Sequence, residues 1–181
     1  MNTAEEQLER LKFPIGPFRP KENITREDLD QFIETISTAP ARYRAIAAGL
    51  TEADRKKTYR EGSWTVQQVI NHVADMHVLH FFRMKCALTD PDYKNVTLVS
   101  QDAWTQTPDG LNGPIEDSLD IIESITKRLI FLIKSLDERQ LAITYYHPVR
   151  RITLNQKQAV SMTAWHLAHH LEHLRIALHS T

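Results

Sequence analysis

The sequence predicts an all-α protein built as a four-helix bundle. Three observations carry this. Four long segments place apolar residues at helical spacing, three of them open on a residue pair with capping-box spacing, and only one stretch is β-branched and aromatic. Helices that each bury one stripe, joined without a repeat or a sustained heptad, pack most economically as a bundle.

The elements follow in chain order. Residues 1–24 contain "FPIGPFRPKEN", whose prolines and glycine exclude a regular helix, so this segment reads as an extended arm lying on the body. Thr25 and Asp28 open the first long helix, which Pro40 must kink or interrupt before "ARYRAIAAGL" carries it to Gly49. Thr51 and Asp54 start a further short turn. Thr65 and Gln68 open the second long helix, with apolar side chains at Val66, Val69, Ile70, Val73, Met76 and Met84.

From Thr89 to Pro114 the composition shifts to Asp, Pro, Asn, Thr and Gly, which describes a long structured loop between the second and third long helices. The third helix runs from Ile115 to Leu136 along Leu119, Ile122, Ile125, Leu129, Leu132 and Ile133. "AITYYHPVRRIT" then reads as a short hairpin or extended crossover. Thr153 and Gln156 are placed to open the last helix, which continues almost to the end.

Composition bounds the function. A chain of 181 residues with 41% hydrophobic side chains suits one domain over 1–181, with a core large enough to need no disulfide. The formal charge of −1, with both signs mixed along the chain, gives no electrostatic footprint for nucleic acid or an anionic membrane. Cys86 is the one cysteine, so a Cys-based zinc site cannot be assembled from this chain alone, and its place at the apolar end of a helix reads as a core thiol. With no basic segment followed by an apolar run at the N-terminus and no stretch of membrane-spanning length, the expected location is the cytoplasm.

The chemistry is concentrated in "WHLAHHLEH", Trp165 to His173. On a helix, i and i+4 share a face, so His166 with His170 and His169 with His173 are both pairs able to share a metal ion. Spacing does not choose between them. Measured from the apolar stripe Val160, Ala164, Leu167, Leu171, Leu174 and Leu178, His170 lies roughly 80° away, His166 about 120°, His173 about 140° and His169 nearly opposite. His166 and His170 therefore border the core best. A third ligand must come from another helix, and the one opened by Thr65 offers His72, His77 and His80; His77 and His80 fall inside its apolar stripe and His72 at its edge, so periodicity does not pick His72. Leu167 stands where an H-E-x-x-H protease motif needs Glu. Met162 and Trp165 lie away from the Leu stripe, free to meet either another chain or this chain's own arm or loop.

Taken together, "YREGSWTVQQVINHVADMH" (Tyr59 to His77), "RMK" (Arg83 to Lys85), "YYHP" (Tyr145 to Pro148), "WHLAHHLEHL" (Trp165 to Leu174) and "FPIGPFRP" near the start resemble the YfiT group of the DinB superfamily over nearly the whole chain. The resemblance implies a four-helix bundle binding one divalent metal, Zn2+ or Ni2+, through His72, His166 and His170, and it implies a homodimer. The wider superfamily often follows its last ligand with Arg-Gly-Gln; Leu171, Glu172 and His173 stand there instead, closer to the YfiT group.

Three neutral imidazoles leave a metal its charge and an open position, the arrangement of catalytic sites. Water there has its pKa lowered to about 7, which suits hydrolysis of an ester or amide, whereas a thiol there becomes a thiolate nucleophile. The resemblance implies a metal-dependent hydrolase of a small molecule, with transfer of a low-molecular-weight thiol such as bacillithiol, or non-catalytic metal binding, as the other readings. Asp75, His147, Glu172 and His173 are general-base candidates by residue type alone.

Overall fold

Side-chain caps set where the helices of this chain begin. The computed structural model describes residues 3–179. At its start the Thr3 hydroxyl accepts from the Glu6 amide and the Glu6 carboxylate accepts from the Thr3 amide, opening helix α1 (Ala4–Lys12). This corrects the expected extended arm over 1–24. The prolines that exclude a helix begin at Pro14 and do not reach back over residues 4–12; residues 1 and 2 of the expected arm lie outside those described.

The same device at Thr25 opens α2 (Arg26–Ala47), which runs through Pro40 as one helix and ends before Gly49, whose φ of 79° takes the left-handed turn an L side chain disfavours. Thr51 caps α3 (Glu52–Lys56), and Thr65 with Gln68 caps α4 (Val66–Thr89) as the spacing predicts.

The expected loop from Thr89 to Pro114 contains two short helices, α5 (Gln101–Trp104) and α6 (Pro108–Asn112). Amides on α4 hold this segment down. Gln67 donates to the Gly113 carbonyl, Gln68 to Thr105, and Asn71 to both Asp109 and Gly110. Gly110 is required here because a Cβ would meet the Trp104 carbonyl oxygen at 2.8 Å.

Helix α7 (Ile115–Ser135) and the single turn α8 (Glu138–Leu141) follow, then the hairpin β1 (Thr144–His147) and β2 (Ile152–Asn155), antiparallel with Tyr145 opposite Leu154. The last helix, α9 (Gln156–His179), opens later than the Thr153 and Gln156 pair suggested. Thr153 is committed to β2 opposite Tyr146, and Asn155 takes over as cap, exchanging hydrogen bonds of 2.9 and 3.0 Å with Gln158.

The four long helices form the expected bundle, with α4 packing on α7 and α9, and α2 on the same two partners. Ile36, Ile70, Ile122, Leu129, Leu171 and Leu174 fill its centre, all almost wholly buried. Among the described residues no helix is long and apolar enough to cross a membrane.

The outer face of α9 is also covered, by this chain's own residues. The Trp165 indole N–H donates to the Gly16 carbonyl at 3.0 Å, and Phe18 meets its ring at 5.8 Å. Met162 is sealed in a second apolar cluster with Tyr145, Leu154 and Val96. Both side chains thus find partners within this chain. Cys86 is half-buried, with its thiol pKa pushed up by burial.

Candidate metal centre

The capping box at Thr65 starts α4 so that its second turn carries His72 inward, and α9 brings His166 and His170 to meet it. The Nε2 atoms of His72 and His166 are 3.2 Å apart, and one ring nitrogen from each of the three histidines lies within 4.8 Å of the others. Two nitrogens bound at roughly 2.0–2.1 Å to one tetrahedral ion stand about 3.3 Å apart. The His72 and His166 spacing therefore already suits a shared ion, with His170 within reach of both.

Burial sets the charge of these rings. His72 is 2% exposed and its pKa is lowered to about 3 by desolvation; His166 and His170 are pushed well below the ordinary histidine range, again mainly by burial and then by their neighbours. Neutral imidazole is the form that ligates metal, so the donor chemistry fits a borderline divalent ion such as zinc or nickel. The sealed Nδ1 of His72 has no hydrogen-bond partner, which leaves Nε2, facing the other two rings, as that imidazole's one engaged nitrogen.

Trp64, which precedes the Thr65 cap, forms a wall, with ring centroids 4.5 Å from His72 and 6.2 Å from His170. A cleft of about 350 Å³ opens over the cluster, bordered by Phe13, Tyr59, Arg60 and Trp165. The site is thus open on one side and apolar-walled on the other.

His169 and His173 are where the helical wheel misleads. Placed far from the Leu stripe, they are nonetheless 5% and 2% exposed, because α1 and the segment after it lie over that side of α9. His169 stacks on Trp165 at 4.4 Å and meets Phe13 at 6.0 Å. His173 stacks on Tyr59 at 3.9 Å, approaches the Leu11 and Lys12 carbonyls through Nε2, and stands beside His170. His169, His170 and His173 form a second group with nitrogens within 4.8 Å, sharing His170 with the first. The Thr3 and Glu6 spacing was the available signal for the helix that buries them.

The remaining candidates separate. Asp75 does not line the cleft; it is half-buried, and desolvation followed by the nearby Asp109 raises its carboxyl pKa to about 6. Glu172 is paired with Arg175. His77 bonds Thr126 across to α7. His147 lines a neighbouring cavity with His80, one of the three ligand candidates on α4, and with Arg83 and Arg150, which the pattern of the sequence had not marked as part of a site.

A family model of the DinB superfamily matches residues 35–174. The chain belongs to the DinB superfamily. Within it, a Bacillus pumilus protein named "Putative metal-dependent hydrolase" is 36% identical over 164 residues, covering 91% of this chain and 93% of its own length. A Halalkalibacterium halodurans relative of the same description is 37% identical, covering 92% and 96%. The solved structure of YfiT from Bacillus subtilis, described as "a probable metal-dependent hydrolase with an unusual four-helix bundle topology", superposes with a TM-score of 0.87 at 28% identity over 92% of this chain and 94% of that one. A mycothiol-dependent maleylpyruvate isomerase shares the fold, with a TM-score of 0.63 at 17% identity over 81% of this chain and 60% of its own. The fold thus brings the three histidines together in a chain whose relatives are named for metal dependence.

Proposed function

We propose that His72, His166 and His170 hold one divalent metal ion, Zn2+ or Ni2+, and that the protein is a metal-dependent hydrolase of a small molecule. The observation that carries this is the meeting of three neutral imidazoles from two helices at metal-sharing distance beneath an open cleft. The names of the relatives over more than nine-tenths of the chain support the same reading. A metal held by these three histidines would supply Lewis acidity to a substrate or water in the cleft.

The chain's own residues supply the rest. Burial on α4 and α9 keeps the three rings unprotonated at neutral pH, so they stand ready as lone-pair donors. Trp64 packs on His72 and His170 and gives the cleft an aromatic wall, while Tyr59 and Trp165 border the space that admits substrate. A homodimer and a cytoplasmic location belong to this proposal through the family, and light scattering at micromolar concentration checks the former.

Metal content by mass spectrometry on tag-free protein tests the reading. About one equivalent of zinc or nickel, lost in both His72→Ala and His170→Ala, is expected. Wild-type protein that neither contains nor takes up either metal would overturn it. Turnover of an ester and amide panel with and without an added low-molecular-weight thiol then separates hydrolysis from thiol transfer; metal binding with no turnover in either arm assigns a binding module.

A further inference from the structure

Beside the histidine cleft lies a second cavity of about 450 Å³. Gln101, Asp102, Arg150, Trp165 and His166 line both, so the two adjoin as halves of one hollow, with His166 in the wall of each. Arg83 on α4 stands in the far half and is only 6% exposed. Its Nε and one Nη donate to a single acceptor, the Thr97 carbonyl, at 3.1 and 2.6 Å, which positions the guanidinium without neutralising it. Its other Nη has no partner and is not sealed by the protein. Among the described residues no carboxylate forms an ion pair with Arg83 or with Arg150, which reaches the same cavity from the turn between β1 and β2. An arginine this deeply buried ordinarily has a counter-charge.

The third donor is His147. Its Nδ1 accepts the Arg150 amide at 3.3 Å, and burial, followed by the charges of Arg83 and Arg150, lowers its pKa to about 4, so the neutral ring carries its proton on Nε2. The one carboxylate on this hollow, Asp102, is exposed on the rim. Apolar side chains, Met76, Leu98, Val149 and Met162, line the rest with His80 and Ser100 among them. The cavity therefore offers two unpaired cations and an N–H donor against an apolar wall.

We propose that this second cavity is the substrate's anchoring subsite and takes an oxyanion, a carboxylate or a phosphate monoester group, on Arg83, Arg150 and the His147 N–H. The substrate is then a small anionic molecule whose charged end sits here while its reacting bond reaches past His166 to the histidine cluster. This rests on the reading of that cluster as the reacting centre, but its test does not require metal.

The experiment is titration of metal-free protein with inorganic phosphate and, separately, with succinate at constant ionic strength, following the arginine side-chain Nε–H resonances by NMR. Saturable shifts of the Arg83 and Arg150 signals are expected by about 50 mM, the range in which a millimolar site fills. Response to phosphate alone, to succinate alone or to both assigns the anion. Arg150→Gln, at an exposed turn whose side chain holds no structural hydrogen bond, is expected to weaken binding at least tenfold, on the order of one lost charge-assisted contact, with metal uptake unchanged. No saturable shift with either anion, or affinity unaltered in Arg150→Gln, would overturn the subsite. Failure of metal uptake in a protein that still binds the anion would instead count against the proposed metal centre alone.

Discussion

The Nδ1 atoms of His170 and His173 lie 3.3 Å apart, and Nε2 of His173 lies 3.1 and 3.2 Å from the carbonyl oxygens of Leu11 and Lys12. Those carbonyls accept only, so His173 carries its proton on Nε2 and offers Nδ1 as an acceptor. The facing Nδ1 of His170 must then be the donor, which leaves the His170 lone pair on Nε2. The carboxyl end of α1 thus selects the tautomer of a histidine on α9.

The first prediction concerns metal affinity. His173→Phe keeps the stack on Tyr59 but removes the acceptor for His170, and loss of such an outer partner typically weakens a metal site about 10–100-fold. Chelator competition measures the change. His173→Gln, whose amide oxygen can accept, is expected to recover part of it, and equal affinity in all three proteins would show that His173 does not orient His170.

Helix α2 supports the ligand helix through Tyr43. Its hydroxyl, wholly buried, donates to the Leu167 carbonyl at 2.8 Å, beside His166, and burial raises its pKa above the ordinary phenol range. Tyr43→Phe removes that bond with little change of shape, so a loss of about 1–2 kcal/mol is expected in urea unfolding. An unchanged midpoint would contradict it.

His77 sets an acid limit. Its Nε2 is 2.8 Å from the Thr126 hydroxyl, its Nδ1 has no partner, and burial lowers its pKa from 6.5 to about 4. Between those values the unfolded chain binds a proton that the folded chain refuses, so stability falls as pH drops from about 6.5 toward 4, by on the order of 3 kcal/mol for this group. Urea midpoints across that range test the sign. Thr126→Val, which leaves the ring with no partner, is expected to cost a further 1–3 kcal/mol, roughly, at neutral pH.

Asp75 works in the opposite direction. Its folded pKa of about 6 stands above the unfolded 3.8, so above about pH 6 the fold carries an ionised carboxylate that it disfavours, and below about pH 4 both states are neutral. Asp75→Asn should therefore stabilise the protein at pH 7 to 8 by on the order of 1 kcal/mol, the full shift being screened at a half-buried group. Little or no effect is expected at pH 4. A destabilised variant at pH 8 would refute this assignment.

The four long helices are legible because each repeats its apolar residues at helical spacing, and Thr25 and Thr65 announce two of them with side chains that satisfy free amides. His166 and His170 are legible for the same reason, as borders of the Leu stripe. His169 and His173 are not, because a wheel assumes one buried face, while α9 is buried by the bundle on one side and by α1, the following arm and the hairpin on others. On α4 nearly every turn is buried, so His72 has no contrasting polar face to mark it and only the family resemblance selected it. Arg83 and Arg150 are brought to one cavity by the hairpin turn, a long-range placement that no local period records.

The cover contributed by Gly16, Leu11 and Lys12 joins the two ends of the chain, 149 to 162 residues apart. During synthesis the first helix therefore leaves the ribosome long before the histidines it will shelter exist. At roughly 5–20 residues per second that interval lasts about 10–30 s. Through it the contacts of Leu11, Lys12 and Gly16 with the final helix cannot form, and only when that helix emerges can the order of events close, with His173 fixed, His170 turned and the site completed together.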